Sequence, residues 1–139
     1  MYDRILVATD GSEHAEEATR HAATVASATG ATLHALFVVD TRTAYDNALV
    51  DPDELREHLV SIGGEALDTV EAIATEHDVP VVTSSTEGDP GDEILSYVDE
   101  NDVQFVFMGE QGHAAFKTVL LGSTAERVLY HAPVPVAIV

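Results

Sequence analysis

The sequence contains no cysteine, and its single lysine is Lys117. A chain without cysteine can form no disulfide, no thiolate metal site and no cysteine nucleophile. Only 6 residues are lysine or arginine against 25 that are aspartate or glutamate, so the formal net charge is −19 at pH 7 with histidine neutral. Such a charge repels both nucleic acid and anionic membranes. We therefore expect no nucleic acid and no membrane among the partners.

Long apolar runs are also missing, although 45% of the residues are hydrophobic. No run is long enough to span a bilayer, and residues 1–12 lack the basic start, apolar stretch and cleavage site of a secretory signal peptide. We therefore expect a cytoplasmic protein. A length of 139 residues without an internal repeat or linker predicts one domain over residues 1–139.

Short apolar runs alternate with segments of helical periodicity along the chain. The strands are predicted at residues 4–8, 33–39, 79–86, 105–108 and 134–139, with helices between them. Continuous apolar runs without polar alternation are typical of parallel strands that are covered on both faces. The sequence therefore predicts an α/β fold with one open sheet of five mainly parallel strands and helices on both faces.

The segment most informative about function is a glycine-rich loop between the fourth strand and the last helix. Gly109 and Gly112 follow the strand, and Gly122 and Ser123 open the helix. Glycine lets main chain approach a ligand closely, and a helix start offers unpaired N–H groups to an anion. Together these features predict a phosphate site. The alternative is that the glycines merely turn the chain and that Ser123 forms a capping box with Glu126.

The spacing Gly109-x2-Gly112-x9-Gly122-Ser123, followed by AERVLYHAPVPVAIV, resembles the signature and C-terminus of the ATP-binding universal stress proteins. The segments YDRILVATDGSEHAEEA and GDPGDEIL also resemble that family. This resemblance implies a Rossmann-like fold of the adenine nucleotide alpha hydrolase type. It also implies a homodimer that pairs through residues 134–139, an apolar terminal strand that would otherwise be an open edge.

The resemblance further implies roles for single residues. Asp10 would accept hydrogen bonds from the ribose hydroxyls, the main chain of Val38 would read the adenine edge, and Met108 would lie near the ribose. The phosphates would be held by Gly109, Gly112, Gly122, Ser123 and Thr124, and His113 and Lys117 are the nearby cations. For these two cations, a solvated loop position is the alternative. The expected ligand is ATP, AMP or ADP, with Mg²⁺ or Mn²⁺ arriving on the phosphates.

Motifs for catalysis are largely missing. Phe116 stands where a Gly-x4-Gly-Lys-Ser/Thr loop requires its second glycine, and neither a catalytic triad nor zinc-ligand spacing is present. We expect a stress-response or regulatory module with at most slow ATP hydrolysis. One alternative is an interaction or structural protein with a vestigial loop. Another is an ATP-using transferase, whose Ser-Gly-Gly-x-Asp-Ser loop is replaced here by residues 9–12, TDGS.

The acidity also predicts that stability depends on salt. A net charge of −19 opposes the compact state through self-repulsion unless salt screens it, and the Debye length falls to about 3 Å at 1 M. We interpret the charge as an adaptation to the cytosol of a halophile. The melting temperature, followed by circular dichroism, is expected to rise steadily from low to molar KCl. Full stability at low salt would contradict this interpretation.

Overall fold

The computed structural model describes residues 2–40, 51–110 and 121–139. Strands and helices alternate through these ranges. In chain order the elements are β1 (Arg4–Ala8), α1 (Glu13–Thr29), β2 (Thr32–Asp40), α2 (Pro52–Glu76), β3 (Val81–Gly88), α3 (Pro90–Glu100), β4 (Phe105–Met108), α4 (Ser123–His131) and β5 (Val136–Ile138). None of the helices in these ranges is long and apolar enough to cross a membrane.

The described strands form one sheet in the order β3-β2-β1-β4-β5, and all neighbouring pairs are parallel. The predicted five-stranded α/β architecture is thus confirmed. The chain winds from β1 outward to β3 on one side and then crosses to β4 and β5 on the other. Ala8 at the end of β1 pairs with Leu36 in β2 and with Met108 in β4. The carboxyl ends of these three strands therefore meet at one edge of the sheet.

Side chains of β1 alternate between two buried layers. Ile5 and Val7 pack in a cluster with α1 and α2, whereas Leu6 packs in a second cluster with α3 and α4. All three side chains are fully buried. On α1 the buried stripe consists mainly of alanines, as predicted, and such small side chains let the helix lie close to the sheet.

Several helix boundaries follow their predicted signals. Ser12 caps α1 by accepting a hydrogen bond from the Ala15 N–H at 3.2 Å, and Gly30 ends that helix with a φ of 73°. Asp89 caps α3, and Pro90 opens it. β5 spans three residues rather than the six predicted. At its start Pro135 has no N–H with which to extend the ladder, and beyond its end the Val139 N–H still donates to the Met108 C=O.

The last helix buries less than its periodicity predicts. Ala125, Val128 and Leu129 repeat at helical spacing, but only Ala125 and Val128 are buried, and Leu129 is 48% exposed. The reason is geometric, since this nine-residue helix contacts the sheet only through a narrow stripe.

The glycine pair inside α2 offers a test of packing with its own control. Gly63 is buried, and a Cβ added there would overlap the ring of Phe37, whereas one added at Gly64 would meet nothing within 4 Å. We expect Gly63→Ala to lower the free energy of unfolding by about 1–3 kcal/mol through overpacking. Gly64→Ala should raise it by about 0.4–1 kcal/mol. Urea denaturation measures both, and equal effects of the two changes would contradict this packing.

His34 in β2 offers a test of pH dependence. Its Nδ1 lies 2.7 Å from the Tyr97 hydroxyl, and burial, with a smaller contribution from Arg4, lowers the pKa of His34 below 6.5. A lowered folded-state pKa means that the unfolded chain takes up a proton first as the pH falls. His34 therefore contributes stability that is fully present above pH 6.5 and is lost as the pH falls through the folded-state pKa.

We expect the free energy of unfolding of the wild type to fall more steeply below pH 6.5 than that of His34→Gln. Urea denaturation from pH 5 to 7.5 at constant KCl measures the difference. The comparison between the two proteins cancels the titration of the other histidines and of the carboxylates. Parallel pH profiles would show that His34 is not the group responsible.

Candidate functional site

A cavity of about 630 Å³ opens where the carboxyl ends of β1, β2 and β4 meet. Its size lies within the range of roughly 300–1,000 Å³ that is usual for small-molecule sites. Open parallel sheets bind ligands at this edge, at the point where the winding reverses. Here that point lies between β1 and β4.

The turn after β1 forms one wall of the cavity. Asp10 Oδ1 accepts a hydrogen bond from the Ser12 N–H at 2.9 Å, and Thr9 Oγ1 accepts one from the Gly11 N–H at 3.1 Å. Gly11 has a φ of 82°, a left-handed conformation that favours glycine. The turn therefore holds the Asp10 carboxylate in a defined position on the cavity wall.

The end of β2 presents main chain to the cavity. The last hydrogen bond between β2 and the β1 side runs from the Thr9 N–H to the Leu36 C=O at 3.0 Å. Because alternate residues of a strand direct their polar main-chain groups to the same side, those of Val38 also point toward β1. Strand β1 has ended at Ala8 by that level, so the N–H and C=O of Val38 face the cavity.

Apolar side chains cover this part of the cavity. Leu59 and Ile62 reach it from α2, and Ile94 reaches it from α3. An apolar slot beside an exposed N–H and C=O is suited to a flat heterocycle whose edge carries both an acceptor and a donor.

Gly109 lies where β4 passes over the start of α1. A Cβ added at Gly109 would lie 2.8 Å from the His14 Cβ and 3.0 Å from the Ala15 nitrogen. The sequence suggested that this glycine makes room for a ligand. In the structure it makes room for α1, a packing requirement that holds whether or not a ligand binds.

The start of α4 is the part of the cavity best suited to an anion. Its N-cap is Gly122, which provides no side-chain hydrogen bond. The three other helices in the described ranges have side-chain caps, from Ser12, Asp51 and Asp89. Ser123 is the first helical residue rather than the cap, so the capping box considered above does not form. The first N–H groups of α4 therefore remain available on the cavity wall.

The main chain around this helix start is tied together. The Gly122 N–H donates to the Glu110 C=O at 2.9 Å, and the Glu110 N–H donates to the Val139 C=O at 2.7 Å. Because the Gly122 N–H is already used, an anion would depend on the N–H groups of Ser123 and Thr124 instead. These bonds also hold Glu110 directly beside the start of α4.

The charge on the cavity wall is negative. Asp10, Asp40 and Glu110 line the cavity, and the lining residues within the described ranges include no lysine, arginine or histidine. An anion bound here would thus be held by amides, hydroxyls and the helix dipole. Within the same ranges no group of three potential metal ligands is preformed. Carboxylate oxygens do suit Mg²⁺ or Mn²⁺, so these residues fit a cation that arrives with phosphate.

The structure brings most of the predicted site residues together. The cavity is lined by Asp10, Val38, Met108, Gly109, Gly122, Ser123 and Thr124. Gly112 and His113 lie outside the described residues, as does Lys117.

Sequence reasoning missed Asp40, Glu110 and the apolar wall from α2. Asp40 is the last residue of β2, just as Asp10 follows β1. Because ligands bind beyond the carboxyl ends of parallel strands, this position in the sequence could have indicated Asp40. For Leu59 and Ile62 the periodicity predicted an inward position but not an exposed cavity beneath them.

The chain matches the universal stress protein family over residues 1–139. Among curated relatives, the universal stress protein MJ0531 of Methanocaldococcus jannaschii is 35% identical, over 100% of this chain and 82% of its own length. Among solved structures, the universal stress protein UspA from Lactobacillus plantarum superposes with a TM-score of 0.83 at 31% identity, over 99% of this chain and 97% of that one.

A third comparison is with the universal stress protein from Archaeoglobus fulgidus in complex with dAMP. It has a TM-score of 0.73 at 22% identity, covers 99% of this chain and 97% of that one, and supports the fold alone. The family match and the relative at 35% identity both cover the whole of this chain. The chain therefore belongs to the universal stress protein family.

Proposed function

We propose that this protein binds an adenine nucleotide in the cavity and acts as a stress-response or regulatory module. The observation that carries the proposal is the start of α4, which has no side-chain cap and opens onto a cavity of about 630 Å³ at the edge where parallel sheets bind ligands. The universal stress protein from Archaeoglobus fulgidus, which shares the fold, is in complex with dAMP, so a protein of this fold can hold an adenine nucleotide.

The proposed ligand extends from β2 to α4. The N–H and C=O of Val38 hydrogen bond to the adenine edge, Asp10 accepts from the ribose hydroxyls, and Met108 packs near the ribose. The phosphates bind at the N–H groups and hydroxyls of Ser123 and Thr124. Gly109, Gly112 and Gly122 belong to the family signature. Of these, Gly109 and Gly112 contribute main-chain N–H groups and Gly122 shapes the main chain at the start of α4, and His113 is a nearby cation that assists.

ATP is the proposed physiological ligand, with AMP and ADP as related ligands, and Mg²⁺ or Mn²⁺ binds through the phosphates. Any hydrolysis of ATP is slow in this proposal. Fast phosphoryl transfer relies on cationic groups that neutralise charge in the transition state. The cavity lining within the described residues presents carboxylates instead.

We also propose where the protein acts and how two copies associate. Residues 1–139 act as one domain in the cytoplasm of a halophile. Two copies associate through β5, which is an edge strand paired with β4 alone among the described strands. Pairing of this edge between copies would satisfy its remaining main-chain groups.

The nucleotide proposal is tested by ligand-dependent stabilisation. A ligand that binds only the native state at a hundredfold excess over Kd adds about 2.7 kcal/mol of stability. We expect AMP and Mg-ATP to raise the melting temperature, and isothermal titration calorimetry to give one site per chain. An unchanged melting temperature with both nucleotides would instead favour an interaction protein with an empty cavity.

Variants at Gly122 locate the phosphate subsite. The φ of −61° and ψ of 148° at Gly122 suit any residue, so Gly122→Asp is expected to supply the missing cap and to change stability by only a few tenths of a kcal/mol, about the usual difference between these caps. Its carboxylate would compete with phosphate and weaken nucleotide binding strongly. Gly122→Asn is the matched neutral control and should weaken binding less. Equal affinities of both variants and the wild type would place the phosphates elsewhere.

A further inference from the structure

Glu110 stands out among the residues of the cavity because it is an acid held beside the proposed phosphate subsite. Its C=O accepts from the N–H of Gly122, the N-cap of α4, at 2.9 Å. Its N–H donates to the Val139 C=O at 2.7 Å. Glu110 is half-buried and lines the cavity. Because the main chain of Glu110 is bonded on both sides, its side chain starts from a fixed point beside the first turn of α4, which places that turn within reach of the carboxylate.

The charge of Glu110 opposes the attraction that α4 offers to an anion. A helix start is equivalent to roughly half a positive elementary charge. Glu110 carries a full negative charge when ionised, and Asp10 and Asp40 on the same cavity wall add to it. No cationic side chain lines the cavity within the described ranges. Amide hydrogen bonds can hold one phosphate group, and each further phosphate adds repulsion from these three carboxylates.

We propose that Glu110 is a specificity-determining residue that makes the site discriminate between nucleotides by their charge. The inference rests on the proposed nucleotide site and deepens it. With Glu110 in place, an adenine nucleotide with a single phosphate group binds more tightly than metal-free ATP. ATP binds well only as its complex with a divalent cation.

The dependence on a cation has a simple physical basis. ATP carries roughly two more negative charges than AMP, since each added phosphate group contributes at least one. A divalent cation on the phosphates removes this excess before the ligand enters. A carboxylate such as Glu110 is also a suitable oxygen neighbour for Mg²⁺. The same acid that repels free ATP therefore tolerates Mg-ATP.

The test compares affinities by isothermal titration calorimetry for AMP, for ATP in EDTA and for ATP in excess Mg²⁺. The proteins are the wild type, Glu110→Gln and the control Glu126→Gln, all at one KCl concentration at which each is folded. Glu126 lies in the first turn of α4, is exposed and does not line the cavity. Both variants remove one negative charge, so the control accounts for the change in overall charge.

Glu110→Gln is expected to raise the affinity for metal-free ATP at least about fivefold and that for AMP less than about twofold, because repulsion grows with ligand charge. The enhancement of ATP binding by Mg²⁺ should shrink by the same factor. Glu126→Gln should keep the wild-type ratio of ATP to AMP affinity. Melting temperatures without nucleotide show whether the variants are equally folded.

The outcomes separate this inference from the proposed function. If Glu110→Gln changes the affinities for AMP and metal-free ATP by the same factor, or behaves like Glu126→Gln, the role of Glu110 is overturned while nucleotide binding stands. If neither the wild type nor the variants bind any of the three ligands, both the role of Glu110 and the nucleotide site are overturned.

Discussion

The cavity exists because β1 ends before its neighbour β2 does. Pairing between β1 and β2 stops at Ala8 and Leu36, and β2 continues to Asp40. Beyond that point the N–H and C=O of Val38 have lost their strand partner on the β1 side. Main-chain polar groups seldom remain unpaired away from water, so this gap favours a ligand or solvent. The proposed recognition of adenine follows from this difference in strand length.

The same edge of the sheet also carries the main-chain groups that are proposed to contact the phosphate end of the ligand. The chain leaves β4 through Gly109, which packs on the start of α1, and returns at Gly122 to begin α4. The hydrogen bond between Gly122 and Glu110 brings the exit and the return together. A helix start without a cap is thereby held beside the end of β1. The apolar wall from α2 and α3, the Asp10 turn and this helix start thus all line one cavity.

Charge makes this site unusual for an anion. The chain carries −19 overall, and the cavity wall follows that trend instead of reversing it locally. Within the described part of the cavity, attraction for an anion therefore comes from oriented dipoles, which act at short range and in a fixed direction. The affinity of a site of this kind depends on the exact positions of its main-chain N–H groups.

Much of the fold could be predicted from the sequence because it depends on local patterns. Apolar runs located the strands, and Ser12, Gly30 and Asp89 marked helix boundaries through chemistry confined to a few residues. Asp10, Val38 and Gly109 each lie at or just after the carboxyl end of a predicted parallel strand, so the sequence indicated that they share one edge of the sheet, where the structure has them. Other features depend on contacts between distant segments. The packing of Gly109 on His14 is one, and the exposure of Leu129 is another.

The capping box shows how a small error in a boundary changes the chemistry of a site. The pattern of Ser123 and Glu126 suits a cap, but the helix begins one residue earlier than that pattern requires, with Gly122 as the N-cap. A serine cap would have satisfied one of the N–H groups that an anion needs. A shift of one residue thus separates a capped helix end from one whose first N–H groups remain available.

The position of Val139 has a practical consequence for experiments. Its N–H donates to the Met108 C=O at 2.9 Å, and its C=O accepts from the Glu110 N–H, so residue 139 is bonded to two residues that line the cavity. Tyr2 precedes β1 and lies at the opposite edge of the sheet. An affinity tag or a surface linker attached after Val139 would emerge at the mouth of the site. Immobilisation through the amino terminus leaves that mouth facing solution.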